Sequence, residues 1–422
     1  MTKSSSMRNL IFTFLFLTVS FQVFSQDTAK IMTYNLLNYN VSIVKDQSFR
    51  KIMKYSDPDI IVCEEVISQV AVDNMLVNVL NYYTPGLYSA GTFLNGFDTD
   101  NAVFYKTSEY TFLYNFAIQT TLRTINLFAL VHNQSGETIK LFAVHLKASN
   151  STSDQQQRLS EVNALRDFTN SLPNGNDFIV LGDFNIYTST EPAYQRLLQI
   201  NAGSEGQFYD PLTLSGTWNQ SGYAPYHTQS TRVRALGDSG STGGLDDRFD
   251  MILNSKAVTE EGGIKYIPGS LKPLGNDGNH YNDSINKQPN TAVPDSIANA
   301  LYYGSDHLPV TALYKFQSTI SIQSVSENIP GAFQVYQNYP NPFNPSTKIK
   351  FDVPSLGGNE LSEVKLIVYS SLGSEVSTLV NQKISPGSYE VNFNAENLSS
   401  GVYFFKLVTD KFIQTKSMIL LK

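Results

Sequence analysis

The chain has 422 residues, enough for two or three domains with full-sized cores. Hydrophobic residues make up 41% and charged residues 16%, which excludes wholesale disorder. With 30 Lys+Arg against 37 Asp+Glu the net charge is −7, which excludes a basic nucleic-acid coat, and the single cysteine, Cys63, excludes an intramolecular disulfide or a Cys-rich zinc site.

Residues 1–25 open with Lys3 and Arg8, run apolar from Leu10 to Phe24, and end at the small residue Ser25. This pattern predicts a secretory signal peptide, too short and too interrupted by Thr18, Ser20 and Gln22 to serve as an anchor. No later stretch reaches the roughly 18 apolar residues of a spanning helix, so no stable membrane span is expected. A monomer exported from the cell is the expectation.

From 26 to 316 the pattern alternates. Apolar residues at three- and four-residue spacing predict helices over 49–55, 70–80 and 155–171. Runs rich in Ile, Val and Phe predict strands at 30–34, 59–62, 102–105, 139–145, 178–181, 249–253 and 310–316. Several strands follow one another directly, so a mixed sheet layered with helices is expected. The tract 268–303 is rich in Gly, Asn and Pro and is expected to be largely loop. Residues 317–337 read as a polar linker, and 338–422 as a small β-sandwich of alternating strands separated by Gly, Ser and Asn turns.

Polar residues recur at the ends of the predicted strands. Asn35 follows the first strand, and Glu65 follows the second within Cys63-Glu64-Glu65-Val66. His145 closes the strand at 139–145; Asp183 and Asn185 follow Val180-Leu181-Gly182. Asp250 lies in Arg248-Phe249-Asp250, and Asp306-His307 precedes the strand at 310. Taken singly these are turn formers, exposed carboxylates or structural histidines. Together, carboxylates and an amide at strand ends can converge on one rim and hold a hard divalent cation. A histidine beside them supplies acid–base chemistry, with Asp250 placed to orient one imidazole. That combination suits hydrolysis of a phosphate ester.

Six motifs in order carry a resemblance. They are Thr33-Tyr34-Asn35-Leu36; Pro58-Asp59-Ile60-Ile61 leading to Glu65; Ala143-Val144-His145-Leu146-Lys147; Val180-Leu181-Gly182-Asp183-Phe184-Asn185; Arg248-Phe249-Asp250; and Ser305-Asp306-His307-Leu308-Pro309. With these, 26–316 resembles the endonuclease/exonuclease/phosphatase superfamily. The resemblance implies an α+β fold, a four-layer α/β/β/α sandwich as in deoxyribonucleases, and phosphoester hydrolysis dependent on Mg²⁺, with Mn²⁺ or Ca²⁺ as substitutes. It implies Glu65, Asn35 and Asp306 as metal residues, and His307, Asp250, Asp183, Asn185 and His145 as catalytic ones. Lys147 and Arg248 are the expected substrate contacts. Glu64 stands where the family usually has Gln, and a carboxylate to support His145 is not evident beyond Asp98 and Asp100. Asp277-Gly278-Asn279 has the composition of a calcium loop but lacks its spacing.

The tail resembles the C-terminal sorting domain of the type IX secretion system. The matching pieces are the NYPNPFNPST segment at 338–347, VYSSLG at 368–373, Pro386-Gly387-Ser388-Tyr389 and SSGVYFFKL at 399–407. This implies engagement with that secretion machinery and release or display outside the outer membrane.

Substrate choice rests on weaker signals. Residues 26–332 carry a net charge of about −10, which opposes polyanion binding unless cations are gathered locally. Arg232, Arg234, Arg248 and Lys256 are candidates for such a patch, with Trp218, Tyr223 and Tyr226 as stacking residues. An endonuclease acting on DNA or RNA is the leading expectation. A lipid-headgroup phosphodiesterase or phosphatase of the same fold is the alternative, and a non-enzymatic surface binder comes last.

Overall fold

The computed structural model describes residues 28–96, 98–260, 262–316, 323–326, 329–355, 361–395 and 398–422. The expected signal peptide lies outside the described residues. Among them, no helix is long and apolar enough to cross a membrane.

The first part of the chain builds two sheets. In order it forms β1 (Thr28–Tyr39), α1 (Ile43–Ser56), β2 (Ile60–Val66), α2 (Gln69–Asn74), β3 (Tyr88–Ala90), β4 (Asp100–Lys106), β5 (Tyr110–Ile118), β6 (Ile125–His132), β7 (Thr138–His145) and α3 (Thr152–Asn170). It continues with β8 (Phe178–Asp183), α4 (Pro192–Leu198), β9 (Phe208–Tyr209), β10 (Asp250–Ser255), α5 (Lys256–Thr259), β11 (Ile264–Tyr266), β12 (Lys272–Pro273), α6 (Asp295–Gly304) and β13 (Val310–Phe316). One sheet runs β11-β13-β1-β2-β4-β3, with β12 also on β13; the other runs β5-β6-β7-β8-β10-β9.

Three apolar clusters show why these sheets are layered. Ile31, Ile60, Val62, Phe128, Leu141, Leu181 and Ile252 form one core drawn from both sheets, so the sheets pack face to face. Met32, Tyr34 and Ile61 point the other way and pack with Phe49 and Ile52 of α1 and Leu301 of α6. Phe142, Val144 and Val180 do the same against Val162 and Leu165 of α3 and Leu197 of α4. Alternation along each central strand thus feeds two apolar faces, which is why these strands are buried nearly throughout. The result is the expected α/β/β/α order of layers.

One expectation about connections holds in the main and one needs correction. The tract 268–303 is largely loop as expected, but it ends in α6, whose Ile297, Ala298 and Leu301 bury against α1; the Gly, Asn and Pro before it masked this short apolar helix. The segment read as linker contains two strands, β14 (Gln323–Ser326) and β15 (Gln334–Val335), paired into the tail. Their polar composition hid them, since edge strands need little apolar content.

The tail adds β16 (Ser346–Val353), β17 (Ser362–Ser370), β18 (Glu375–Ile384), β19 (Gly387–Asn394), β20 (Gly401–Thr409) and β21 (Phe412–Leu420). Its sheets, β14-β19-β16-β15 and β18-β17-β20-β21, enclose Ile349, Phe351, Leu366, Val391, Phe405 and Leu407. This is the small all-β sandwich expected.

Strand direction gathers the polar residues. β1 and β2 are parallel, as are β7 and β8, so each pair ends at one edge. β10 runs antiparallel to β8 and places Asp250 opposite Asp183. β13 runs antiparallel to β1 with Val310 opposite Thr33, which brings residues 305–307 beside the end of β1. The tight seam between β7 and β8 depends on Gly182, whose φ is 137° and whose missing Cβ would stand 2.0 Å from the Val144 carbonyl oxygen. Gly182→Ala is therefore expected to destabilise the protein by about 1–3 kcal/mol, read from urea unfolding curves.

Candidate active site

The site begins with an irregularity in β1. Its register against β2 passes from Asn35 opposite Glu64 to Tyr39 opposite Val66, so three residues of β1 face the single residue Glu65. Leu37, Asn38 and Glu65 all have positive φ, at 52°, 48° and 59°. The bulge turns the Asn38 amide toward Glu65 Oε2 at 2.8 Å, while Asn35 Nδ2 donates to Glu65 Oε1 at 2.9 Å and to Asp183 Oδ2 at 3.1 Å. Asn35 Oδ1 accepts from Leu37 N, and the Asn35 carbonyl accepts from Ser305 Oγ at 2.7 Å.

Asp183 is central. Its Oδ2 lies 3.7 Å from His145 Nε2 and 3.7 Å from His307 Nε2, and its Oδ1 accepts from Asn185 N at 3.0 Å. His145 Nε2 is also 3.7 Å from Glu65 Oε1. These separations exceed hydrogen bonds and match neighbouring ligands around one small cation. Glu65, His145 and Asp183 each offer one ligand atom within 4.8 Å of the others, so the donor set fits a divalent ion. His307 Nδ1 meets Asp250 Oδ2 at 2.8 Å, the paired imidazole and carboxylate that the sequence suggested. Thr228 Oγ1 accepts from the amides of Phe249 and Asp250 and fixes the start of β10.

The geometry redistributes the expected metal residues. Asp306 is not in the Glu65 group: its Oδ2 accepts from Ser241 N at 2.6 Å and Gln229 Nε2 at 3.3 Å, and its buried Oδ1 has no hydrogen-bond partner among the described residues. His145 and Asp183 stand with Glu65 instead. Asn185 turns at positive φ and gives its Nδ2 to the Leu146 carbonyl at 3.2 Å. Gln229 was missed. Its side chain touches His307 Nε2 at 2.6 Å, and nothing in the His227-Thr228-Gln229-Ser230 segment signals this.

Charge at the site follows from burial. His145 is pushed down to about 4 by burial, so it is neutral in the ordinary range. Burial opposes the charge of His307 too, but Asp250 and Asp183 outweigh it and hold the imidazole well above its usual value. Burial raises Asp183 although both histidines pull it down. Glu64 is fully buried, accepts from Thr33 Oγ1 at 2.8 Å, and is pushed far above the carboxylate range by that burial. It therefore stands as a neutral carboxyl.

The expected cationic patch disperses. Arg248 is buried, bound to Asp210 at 2.9 Å beneath Trp218, and is not available as a substrate contact. Arg232 is buried against Asp238 at 2.8 Å, and Lys256 pairs with Glu205 at 2.6 Å. Trp218 lies in the apolar core and so offers no stacking face. Lys147 is partly exposed at the rim, 3.1 Å from Asp154. Neither Asp98, paired with Arg123 at 2.8 Å, nor Asp100, accepting from Gly96 N at 2.7 Å, is hydrogen-bonded to His145, whose buried Nδ1 has no partner among the described residues, although the Asp98 charge reaches the imidazole. Asp277 is filled by His280, Asn279 and Thr291 and offers no free calcium loop.

Arg158 anchors the segment after His145. Its side chain is buried, pairs with Glu191 at 2.6 Å, and donates to the carbonyls of Lys147 and Ser149 at 2.7 and 2.6 Å. Arg158→Met strands the Glu191 carboxylate and is expected to cost about 3–5 kcal/mol in denaturant unfolding. A second expectation concerns protonation. In metal-free protein, nitrogen-15 spectra of the imidazoles should show His145 neutral down to about pH 4 and His307 still protonated above its ordinary range. An unfolded chain protonates His145 near pH 6.5, so this residue makes stability fall as pH drops from about 6.5 to about 4.

The chain is similar in structure to zebrafish (D. rerio) TDP2 complexed with single strand DNA product, at 15% identity, over 68% of this chain and 99% of that one, TM-score 0.46. It is similar to the human Nocturnin catalytic domain with bound sulfate, at 17% identity over 69% and 98%, TM-score 0.43. An endonuclease/exonuclease/phosphatase from Beutenbergia cavernae DSM 12333 aligns at 14% identity over 93% and 100%, TM-score 0.42. No curated protein sequence matches the chain. Residues 337–421 match the family described as secretion system C-terminal sorting domain. The tail is thus a sorting domain of the kind that marks proteins for export by type IX secretion to the cell surface or the extracellular space.

Proposed function

We propose that the chain is a secreted, divalent-metal-dependent phosphodiesterase, with the phosphodiester backbone of DNA or RNA as its leading substrate. The observation that carries this reading is the position of Asp183 Oδ2, 3.7 Å from both His145 Nε2 and His307 Nε2, with Glu65 and Asp250 completing the two sides.

Glu65, Asp183 and neutral His145 would hold the cation, with Asn35 fixing both carboxylates. A bound Mg²⁺ or similar ion would supply charge neutralisation of the phosphate. Asp250 accepts from His307 Nδ1 and favours the protonated imidazole, whose Nε2–H would donate to a phosphate oxygen once the substrate displaces Gln229, 2.6 Å from that nitrogen. Asp183 would turn its carboxylate to the cation and orient the attacking water by accepting its hydrogen bond, while the water's proton passes to solvent. Asn185 keeps Asp183 oriented through its amide. The water oxygen bonds to phosphorus, the ester bond breaks, and the departing oxygen regains a proton from solvent. Lys147 at the rim contributes a substrate contact.

A second reading follows from the buried arginines. With Arg232 and Arg248 each held by an aspartate and Lys256 by a glutamate, Arg234 alone of the expected patch stays exposed without an ion pair among the described residues, which favours a small or zwitterionic phosphodiester over a long polyanion. Assays of the full chain with Mg²⁺ on plasmid DNA, RNA, sphingomyelin vesicles and bis(p-nitrophenyl) phosphate separate the two. EDTA is expected to abolish turnover, and His307→Ala, Asp183→Asn and Glu65→Gln each to lower kcat/KM by about 10²–10⁴-fold in folded protein. Turnover that survives EDTA, or near wild-type activity in His307→Ala, contradicts the proposal. Intact plasmid and RNA with vesicle lipid hydrolysed moves the substrate to the second reading.

A further inference from the structure

Lys45 lies outside the centre just described, yet its placement is costly. It sits in the first turn of α1, three residues after the N-cap Ser42, where the helix end already carries partial positive charge. It is also half-buried rather than extended into water. A lysine held there against local preference points to a compensating task.

That task is visible in its contacts. Lys45 Nζ donates to the carbonyl oxygens of Leu36 at 3.1 Å and Leu37 at 2.5 Å. Both belong to the bulge of β1, out of register with β2, and β1 pairs with β13 only as far as Thr33. The bulge holds two successive non-glycine residues, Leu37 and Asn38, at positive φ, a conformation that relaxes unless something fixes it. Its product is the Asn38 amide aimed at Glu65 Oε2, the oxygen that Asn35 does not hold.

We infer that Lys45 is a positioning residue for the metal site: by clamping the Leu36 and Leu37 carbonyls it fixes the bulge whose Asn38 N–H orients the Glu65 carboxylate. This rests on the reading of Glu65 as a metal ligand. The opposite effect is also available to this residue. Its positive charge lies close enough to Glu65 and Asp306 to interact with both, so as a bare charge it would repel a cation.

The two effects differ in sign, which makes the test decisive. Mn²⁺ affinity of the full chain is measured from the electron paramagnetic resonance signal of free Mn²⁺, for wild type, Lys45→Met and Lys45→Arg, with thermal unfolding of each. The expected result is Kd raised about tenfold or more in Lys45→Met, as for lost supports of metal ligands, and largely restored in Lys45→Arg, which keeps donors for both carbonyls. Tighter binding by Lys45→Met overturns the inference in favour of charge repulsion. An unchanged Kd with a lowered Tm overturns it in favour of a purely structural lysine. Should Lys45→Met fail to fold, hydrogen exchange of the wild-type Asn38 amide decides: protection in metal-free protein supports the clamp, and exchange as fast as in exposed loops contradicts it. Wild type that binds no Mn²⁺ overturns the metal reading itself, a failure distinct from a bound wild type with an indifferent variant.

Discussion

The structure depends on holding Asp183 between two imidazoles in a place almost closed to water. The carboxylate is 2% exposed, and His145 and His307 are 7% and 2% exposed. Burying so many ionisable groups is costly unless each is paired or ligated. The protein meets this in two ways. Asp250 and His307 form a close pair, whereas Glu65, Asp183 and neutral His145 keep distances too long for hydrogen bonds and suited to a shared cation. The remaining supports are backbone groups: the amides of Asn38 and Asn185, and the ends of β1, β8 and β10, locked by Ser305 and Thr228.

Much of this rim was legible because strand ends are legible. Apolar runs closing on Asn35, Glu65, His145 and Asp183 predicted both the strands and the side on which polar residues emerge, and parallel pairing put them together. What sequence could not supply was pairing across long separations. Arg248 and Asp210 are 38 residues apart, and only the fold shows that one cancels the other. Gln229 reaches His307 from 78 residues away with no motif to mark it. Lys45 reads as one more surface lysine on a helix, and its role depends on a bulge no periodicity reveals. The helix α6 was hidden by its flanking Gly, Asn and Pro, and β14 and β15 by their polarity.

The two sandwiches divide the work of the chain. The tail has a compact apolar core and, among the described residues, no group of metal-ligating side chains. Its match to a secretion sorting domain accounts for that economy, since its task is to be recognised. The proposed chemistry belongs to the first sandwich, whose surplus of acidic residues is compatible with an ion-dependent site and unfavourable to indiscriminate polyanion binding.

The proposed function rests on Glu65, His145 and Asp183 sharing one divalent cation beside the His307–Asp250 pair. Crystals of the full chain soaked in Mn²⁺ and measured by anomalous diffraction should give a single strong peak about 2 Å from a Glu65 carboxylate oxygen and in reach of Asp183 and His145. A well-ordered site with no peak there, or Mn²⁺ bound only at surface carboxylates elsewhere, contradicts it.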